Sequence, residues 1–114
     1  MIETPKSITE WSEQVFSTLD KDAQLSKLIE ETREFMKAKS DEERIRELAD
    51  IYIVASILKE RFDCKLGWDM FQGIFTLEMS DVYNAVDEKM KINRARKWSW
   101  NGKTYHHVED KDEA

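Results

Sequence analysis

The feature that most constrains the fold is the run ELADIYIVASILKE, residues 47–60. Its apolar side chains lie on nearly every side of a helix, so a helix built from it must be central and covered by other elements. Ser40 with Glu43 has the pattern of a capping box, which predicts a helix over about residues 41–62. The chain is therefore expected to fold around this helix.

Two carboxylates within this run have no polar face to occupy. Glu47 and Asp50 share a helical sector with Val54 and Ile57, and residues three apart on a helix are neighbours. Burying both acids without a partner would cost several kcal/mol each. Compensation is expected from a shifted pKa, from a metal ion or from arginines. The arginines nearest in sequence are Arg33, Arg44 and Arg46.

A second amphipathic helix precedes the central one. Asp20 or Asp22 is expected to cap it, and it should extend to about Lys39. Its predicted core-facing stripe consists of Leu25, Leu28, Ile29, Thr32, Phe35 and Met36.

The segment IEETREF places three more acids on this second helix. Glu30 falls outside the stripe and is expected to face solvent, whereas Glu31 lies at the stripe's edge and Glu34 one step further out. The short connection between the two helices makes them antiparallel neighbours, which brings Glu31 and Glu34 level with Glu47 and Asp50. Four oxygen donors without His or Cys suit a hard ion such as Mg²⁺, or Mn²⁺ as a substitute, rather than Zn²⁺.

Three further helices are predicted in the rest of the chain. Ser7 with Glu10 should cap a first helix over about residues 8–19, and Ser80 or Asp81 should cap a last helix over about residues 81–96. The first helix should present a stripe of Ile8, Trp11, Val15 and Leu19. A short fourth helix is expected in WDMFQGIFTLEM, residues 68–79.

After the last helix, Asn101-Gly102 separates two short aromatic and β-branched runs, which is typical of a hairpin. The expected fold is an all-α helical bundle of four to five helices, a single domain over residues 1–114. Residues 97–114 would form a C-terminal hairpin or extended arm, with His106 and His107 as tail residues.

Composition narrows the class of protein. Charged residues make up 37% of the chain, with 3 Gly and 1 Pro, which favours long helices over a turn-rich sheet. A net charge of −6 argues against a nucleic-acid or membrane-surface binder. The lone Cys64 and the absence of an apolar leader lead us to expect a cytoplasmic protein.

The last helix carries a row of polar residues where its stripe predicts apolar ones. Lys89, Asn93 and Arg96 lie at i, i+4 and i+7 and continue the stripe of Val82 and Val86. Two cations and an amide on one face suit phosphate oxygens and a sugar or base. The alternative is that the two cations snorkel near the helix C-terminus. Trp11 and Trp98 are interpreted mainly as packing residues, with Trp11 also a candidate for stacking on a base.

Together these motifs resemble the MazG-like all-α nucleoside triphosphate pyrophosphohydrolases, relatives of dimeric dUTPases and dCTP pyrophosphatases. The resemblance rests on Glu31-x-x-Glu34 followed by Glu47-x-x-Asp50, and it spans about residues 8–100. In addition, EKMKINRARKW is similar to the K-x-x-x-N-x-x-R-x-W segment of small phage and mobile-element members.

The resemblance implies Mg²⁺-dependent hydrolysis of a (deoxy)nucleoside triphosphate to the monophosphate and pyrophosphate, in nucleotide-pool house-cleaning. It implies metal binding by Glu31, Glu34, Glu47 and Asp50, with Glu34 or Glu47 accepting a proton from water. Lys89, Asn93, Arg96 and Trp11 would bind substrate. A homodimer or tetramer is expected, in which the excess apolar surface of the central helix would be buried.

Two other classes of function remain open. One is a non-catalytic helical oligomerisation or interaction module, with a structural metal or salt-bridged acids. The other is a small acidic regulator that binds a basic partner.

Overall fold

The chain folds as an all-α helical bundle with a short C-terminal ribbon. The computed structural model describes residues 2–69, 79–100 and 105–107, with Met79 and the last three residues described by their backbone only. Within these residues the helices are α1 (Pro5–Val15), α2 (Lys21–Lys37), α3 (Asp41–Phe62) and α4 (Met79–Ala95). The backbone of residues 66–69 is also helical. The strands are β1 (Trp98–Trp100) and β2 (Tyr105–His107).

Helix α3 is the centre of the bundle, as predicted from its apolar sequence. It packs against α1, α2 and α4, and its side chains are buried without a break from Ile51 to Leu58. Ser40 caps its start, because the Ser40 side-chain oxygen accepts the Glu43 N–H at 3.1 Å. The helix ends at Asp63, whose left-handed backbone (φ 51°) turns the chain away.

The burial of α3 changes the argument for self-association. The apolar surface that the sequence leaves in excess is covered within one chain, so that reason for an oligomer is wrong. The predicted stripe of α2 is also partly wrong: Leu28 is buried, but Ile29 and Met36 are 54% and 77% exposed. At about 100° per residue, Ile29 and Met36 lie about 100° and 80° around the helix from the buried Leu28. Self-association stays a prediction.

Helix α1 begins and ends earlier than its pattern predicts. Its N-cap is Thr4, not Ser7; Ser7 is instead the N3 partner, and each side chain accepts the other's backbone N–H. Pro5 occupies the first helical position, where its missing N–H is not needed. Phe16 adopts an extended backbone, which ends the helix and places its ring in the core while Val15 is exposed.

The C-terminal part of the chain confirms the hairpin. Strands β1 and β2 pair antiparallel, with Trp98 opposite His107 and Trp100 opposite Tyr105. Ser80 and Asp81 are both helical residues of α4, so neither caps it. The predicted helix in residues 68–79 lies mostly outside the described residues, as do the Asn-Gly turn and the side chains of His106 and His107. None of the described helices is both long and apolar enough to cross a membrane.

Candidate metal and anion site

Three carboxylates from α2 and α3 form a compact cluster. One oxygen each from Glu31, Glu47 and Asp50 lies within 4.8 Å of the others, and all three side chains are partly buried. Two oxygens bound to one ion are separated by at most twice the metal–oxygen distance, roughly 4.2 Å for Mg²⁺ and 5 Å for Ca²⁺. Modest side-chain movements would bring one oxygen from each of these residues around a single hard divalent cation.

The other two acids of IEETREF lie outside this cluster. Glu30 is exposed and pairs with Lys27 at 3.6 Å, as expected for a solvated position. Glu34 is also exposed, and it is not among the three clustered residues. Its carboxylate is close enough to raise the pKa of Glu47. Of the four predicted metal-binding residues, three therefore form a compact cluster, and Glu34 lies outside it.

The cluster holds its negative charge at an energetic cost. Burial, and then repulsion from Asp50, raise the pKa of Glu31 to about 7. Burial also raises the pKa of Asp50, against the opposing effect of Lys89. Burial raises the pKa of Glu47 as well, with Asp50 and Glu34 adding to the shift. Carboxylates that repel each other in a partly buried site are the donor set that a divalent cation stabilises.

Lysines form the ion pairs with two of these acids, and among the three arginines considered above Arg46 also attracts the charge of Glu47. Lys27 Nζ lies 4.0 Å from the Glu31 carboxylate, and Lys89 Nζ lies 3.4 Å from that of Asp50. Arg44 and Arg46 form their own ion pairs elsewhere, with acids of the first turn of α3. These pairs are Arg44 with Asp41 at 2.9 Å and Arg46 with Glu42 at 3.3 Å.

The cluster borders a cavity of about 380 Å³, a volume typical of small-molecule sites. Glu31 and Asp50 line it from one side. The predicted row of α4, namely Lys89, Asn93 and Arg96, lines the same cavity. The structure therefore brings the acids of α2 and α3 and the polar row of α4 into one site, although more than 35 residues separate Asp50 from Lys89.

Aromatic side chains close another part of this cavity. Trp11, Phe16 and Trp98 line it and contact each other edge to face, with ring centroids 5.4 to 5.8 Å apart. Trp98 also donates its indole N–H to the backbone carbonyl of Asn93 at 3.0 Å, which fixes the start of β1 against α4. Trp11 is 5% exposed, as a packing residue should be. Its indole nitrogen has no hydrogen-bond partner among the described residues.

Lys27 and Phe16 are site residues that sequence reasoning missed. Lys27 precedes Glu31 by four residues, so the helical period places the two side chains on one face and gave a usable signal. Phe16 gave no such signal, because its position depends on the early end of α1.

No family model matches the chain, and neither a curated protein nor a solved structure matches it significantly.

Proposed function

We propose that the protein hydrolyses a (deoxy)nucleoside triphosphate to the monophosphate and pyrophosphate with the help of a divalent cation, Mg²⁺ in the first instance. One observation carries the proposal: two carboxylates of the cluster, Glu31 and Asp50, line the same cavity as the cationic and amide groups of α4. An acidic cluster alone would repel a polyphosphate, and a basic row alone would bind one without activating water. The combination is what metal-assisted phosphoryl chemistry needs.

Glu31, Glu47 and Asp50 are the residues that would hold the cation. A bound Mg²⁺ supplies charge neutralisation at the phosphate oxygens and lowers the pKa of a coordinated water. Glu34 is then the best candidate to accept a proton from the attacking water. Its charge raises the pKa of Glu47, yet it is not one of the three clustered residues, so its oxygens are not committed to the ion.

The other polar and aromatic residues that line the cavity would bind the rest of the nucleotide. Lys89 and Arg96 offer charged donors for phosphate oxygens, and Asn93 offers an amide for a sugar or base. The ring edges and faces of Trp11, Phe16 and Trp98 supply an apolar wall against which a base can pack. The house-cleaning role is proposed on the motif resemblance alone.

The test is a product assay with purified protein, Mg²⁺ and a panel of canonical and modified nucleoside triphosphates. We expect pyrophosphate and monophosphate in equal amounts. Glu47→Gln and Asp50→Asn should abolish the activity, whereas Glu42→Gln, which changes an exposed acid of the same helix, should retain it. The absence of products from every substrate, or equal activity in all variants, would rule out the enzyme. Release of orthophosphate would point to a different hydrolase.

A non-catalytic module is the second candidate, and a specific observation favours it. The ion pairs of Glu31 with Lys27 and of Asp50 with Lys89 show that the acids already have partners within the chain. In that case these pairs would serve folding, and neither Mg²⁺ nor Mn²⁺ would change the thermal stability of the protein.

A further inference from the structure

We propose that Lys27 and Lys89 are exchangeable counterions, which pair with the carboxylate cluster until a divalent cation binds there and then turn to the phosphates of the ligand. The proposal rests on the proposed function and adds two things to it. It assigns Lys27 of α2 as a phosphate-binding residue, and it makes binding of the polyphosphate conditional on the metal ion.

The positions of the two lysines support this exchange. Lys27 lies on α2 and Lys89 on α4, and both line the cavity that the cluster borders. Each is an ion-pair partner of a different member of the cluster, Glu31 for Lys27 and Asp50 for Lys89. Lys27 is also shared with Glu30, outside the cluster, at 3.6 Å. Both are about one-third exposed, at 29% and 30%, so their side chains have room to turn.

The distances show that these ion pairs are loose. Charge-assisted hydrogen bonds between an ammonium and a carboxylate are typically about 2.7–2.9 Å long. Here the separations are 4.0 Å for Lys27 and 3.4 Å for Lys89. By contrast, Arg94 holds Glu3 through two hydrogen bonds of 3.1 and 3.0 Å. The lysines thus neutralise the cluster without being locked to it.

The charges then impose an order of binding. A divalent cation and an ammonium compete for the same carboxylate oxygens, so binding of the ion weakens both pairs. The displaced ammoniums remain beside the cavity, where Arg96 adds a third positive charge. Without the ion, a polyphosphate meets the negative carboxylates while both lysines are still ion-paired with them. With the ion, it meets the metal and three available cations.

The experiment measures two affinities by calorimetry, with Mn²⁺ and inorganic tripolyphosphate as probes. Lys27→Met and Lys89→Met keep an aliphatic side chain but remove its charge. Each variant should bind Mn²⁺ about twofold to fivefold more tightly than the wild type, because a competing cation is gone. In its Mn²⁺-loaded form, each variant should bind tripolyphosphate at least about tenfold more weakly than the wild type does, because a charged phosphate contact is lost.

Lys21→Met and Lys91→Met are the matched controls, one exposed lysine on each of the same helices and neither in the cavity. Both should leave the two affinities unchanged. The exchange is overturned if the Met variants at 27 and 89 bind Mn²⁺ no more tightly than the wild type. It is also overturned if wild-type protein binds tripolyphosphate equally well with Mn²⁺ and after metal removal with EDTA.

These results are separable from the product assay. Opposite shifts of the two affinities without any hydrolysis would support the exchange and reject the proposed enzyme. Hydrolysis with unchanged Mn²⁺ affinity in both lysine variants would support the enzyme and reject the exchange.

Discussion

The ammonium of Lys89 lies 3.4 Å from Oδ2 of Asp50, which joins the last helix to the central one across 39 residues of sequence. This contact places a phosphate-binding candidate directly beside a metal-binding candidate. It also shows how the chain tolerates a partly buried aspartate on its most apolar helix. The predictions below test the site and then the packing that positions it.

Metal binding should stabilise the wild-type protein and not the Asp50→Asn variant. A ligand at 100 times its dissociation constant adds about 2.7 kcal/mol to the free energy of unfolding. Mg²⁺ or Mn²⁺ should therefore raise the Tm of the wild type, as measured by differential scanning fluorimetry. Asp41→Asn, at an exposed position of the same helix, serves as the control and should respond like the wild type. An equal increase for Asp50→Asn would contradict the assignment.

The free energy of unfolding should fall with rising pH because of Glu31. Its pKa is raised from 4.5 to about 7 by burial and by Asp50, so the folded state binds the proton more tightly than the unfolded state does. Its contribution to stability is therefore fully present below about pH 4.5 and is lost as pH rises through 7.

We expect Glu31→Gln to reduce this slope, to which the raised pKa values of Glu47 and Asp50 also contribute. The variant should also be more stable than the wild type by about 1–2 kcal/mol at pH 8 when both are stripped of metal. Denaturant unfolding in EDTA between pH 5 and 8 would measure both effects. Glu42→Gln, at an exposed position of α3 that does not affect the pKa of Glu31, should keep the wild-type slope. A Glu31→Gln variant with the same slope as the wild type would show that Glu31 does not carry the shift.

Glu34 and Glu47 should differ in what their removal affects. Glu47 belongs to the cluster, so Glu47→Gln should weaken Mn²⁺ binding by at least about tenfold. Glu34 lies outside it, so Glu34→Gln should change Mn²⁺ affinity by less than about threefold. Because Glu34 is the proposed proton acceptor, Glu34→Gln should still lower kcat by about 10²–10⁴-fold. Equal loss of Mn²⁺ affinity in both variants would instead make Glu34 a ligand.

Gly67 should resist substitution even though it lies in a helical segment. A Cβ atom there would meet Ala55 Cβ at 3.1 Å and the two Leu28 methyl carbons at 3.1 and 3.2 Å. Gly→Ala within a helix ordinarily stabilises by up to about 1 kcal/mol. Overpacking at this three-way contact should reverse the sign, so we expect Gly67→Ala to destabilise by about 1–3 kcal/mol. A higher unfolding midpoint in urea would contradict this prediction.

The Glu3–Arg94 pair should matter more than an exposed pair of similar length. Glu3 is held by Arg94 and by the Ser7 hydroxyl, its side chain is 11% exposed, and its backbone N–H donates to Asp87. Arg94→Ala should lower the free energy of unfolding by about 1–3 kcal/mol, because Glu3 loses its partner. Arg44→Ala, which breaks the exposed pair with Asp41, should change it by less than about 0.5 kcal/mol.

The same pair has a pH signature of opposite sign to that of Glu31. The hydrogen bond from Arg94 lowers the pKa of Glu3, so its contribution is present above pH 4.5 and is lost as pH falls below that value. Arg94→Ala should therefore flatten the acid limb of the stability curve. An unchanged acid limb would remove Glu3 as its source.

Local periodicity and capping chemistry determined most of the secondary structure from sequence alone. The Ser40 cap and the antiparallel ribbon follow from interactions within a few residues. The burial of α3 was predictable because its apolar side chains lie on nearly every side of the helix. The helical period placed Glu47 beside Asp50. The error at α1 has another cause: Thr4 and Ser7 both fit the cap pattern, and only Thr4 begins the helix.

The tertiary structure decided how these pieces meet. Three features depend on the rotation of each helix about its axis and on the distances between helices. They are the choice of acids that form one cluster, the contact of Lys89 with Asp50, and the exposure of Ile29. Those quantities are set by the packing of α1, α2 and α4 around α3, which involves residues far apart in sequence. The sequence alone determined that carboxylates must lie on a helix with no polar face. Only the packing of the helices decided that Lys89 lies beside Asp50 and that the acids of α2 and α3 border one cavity.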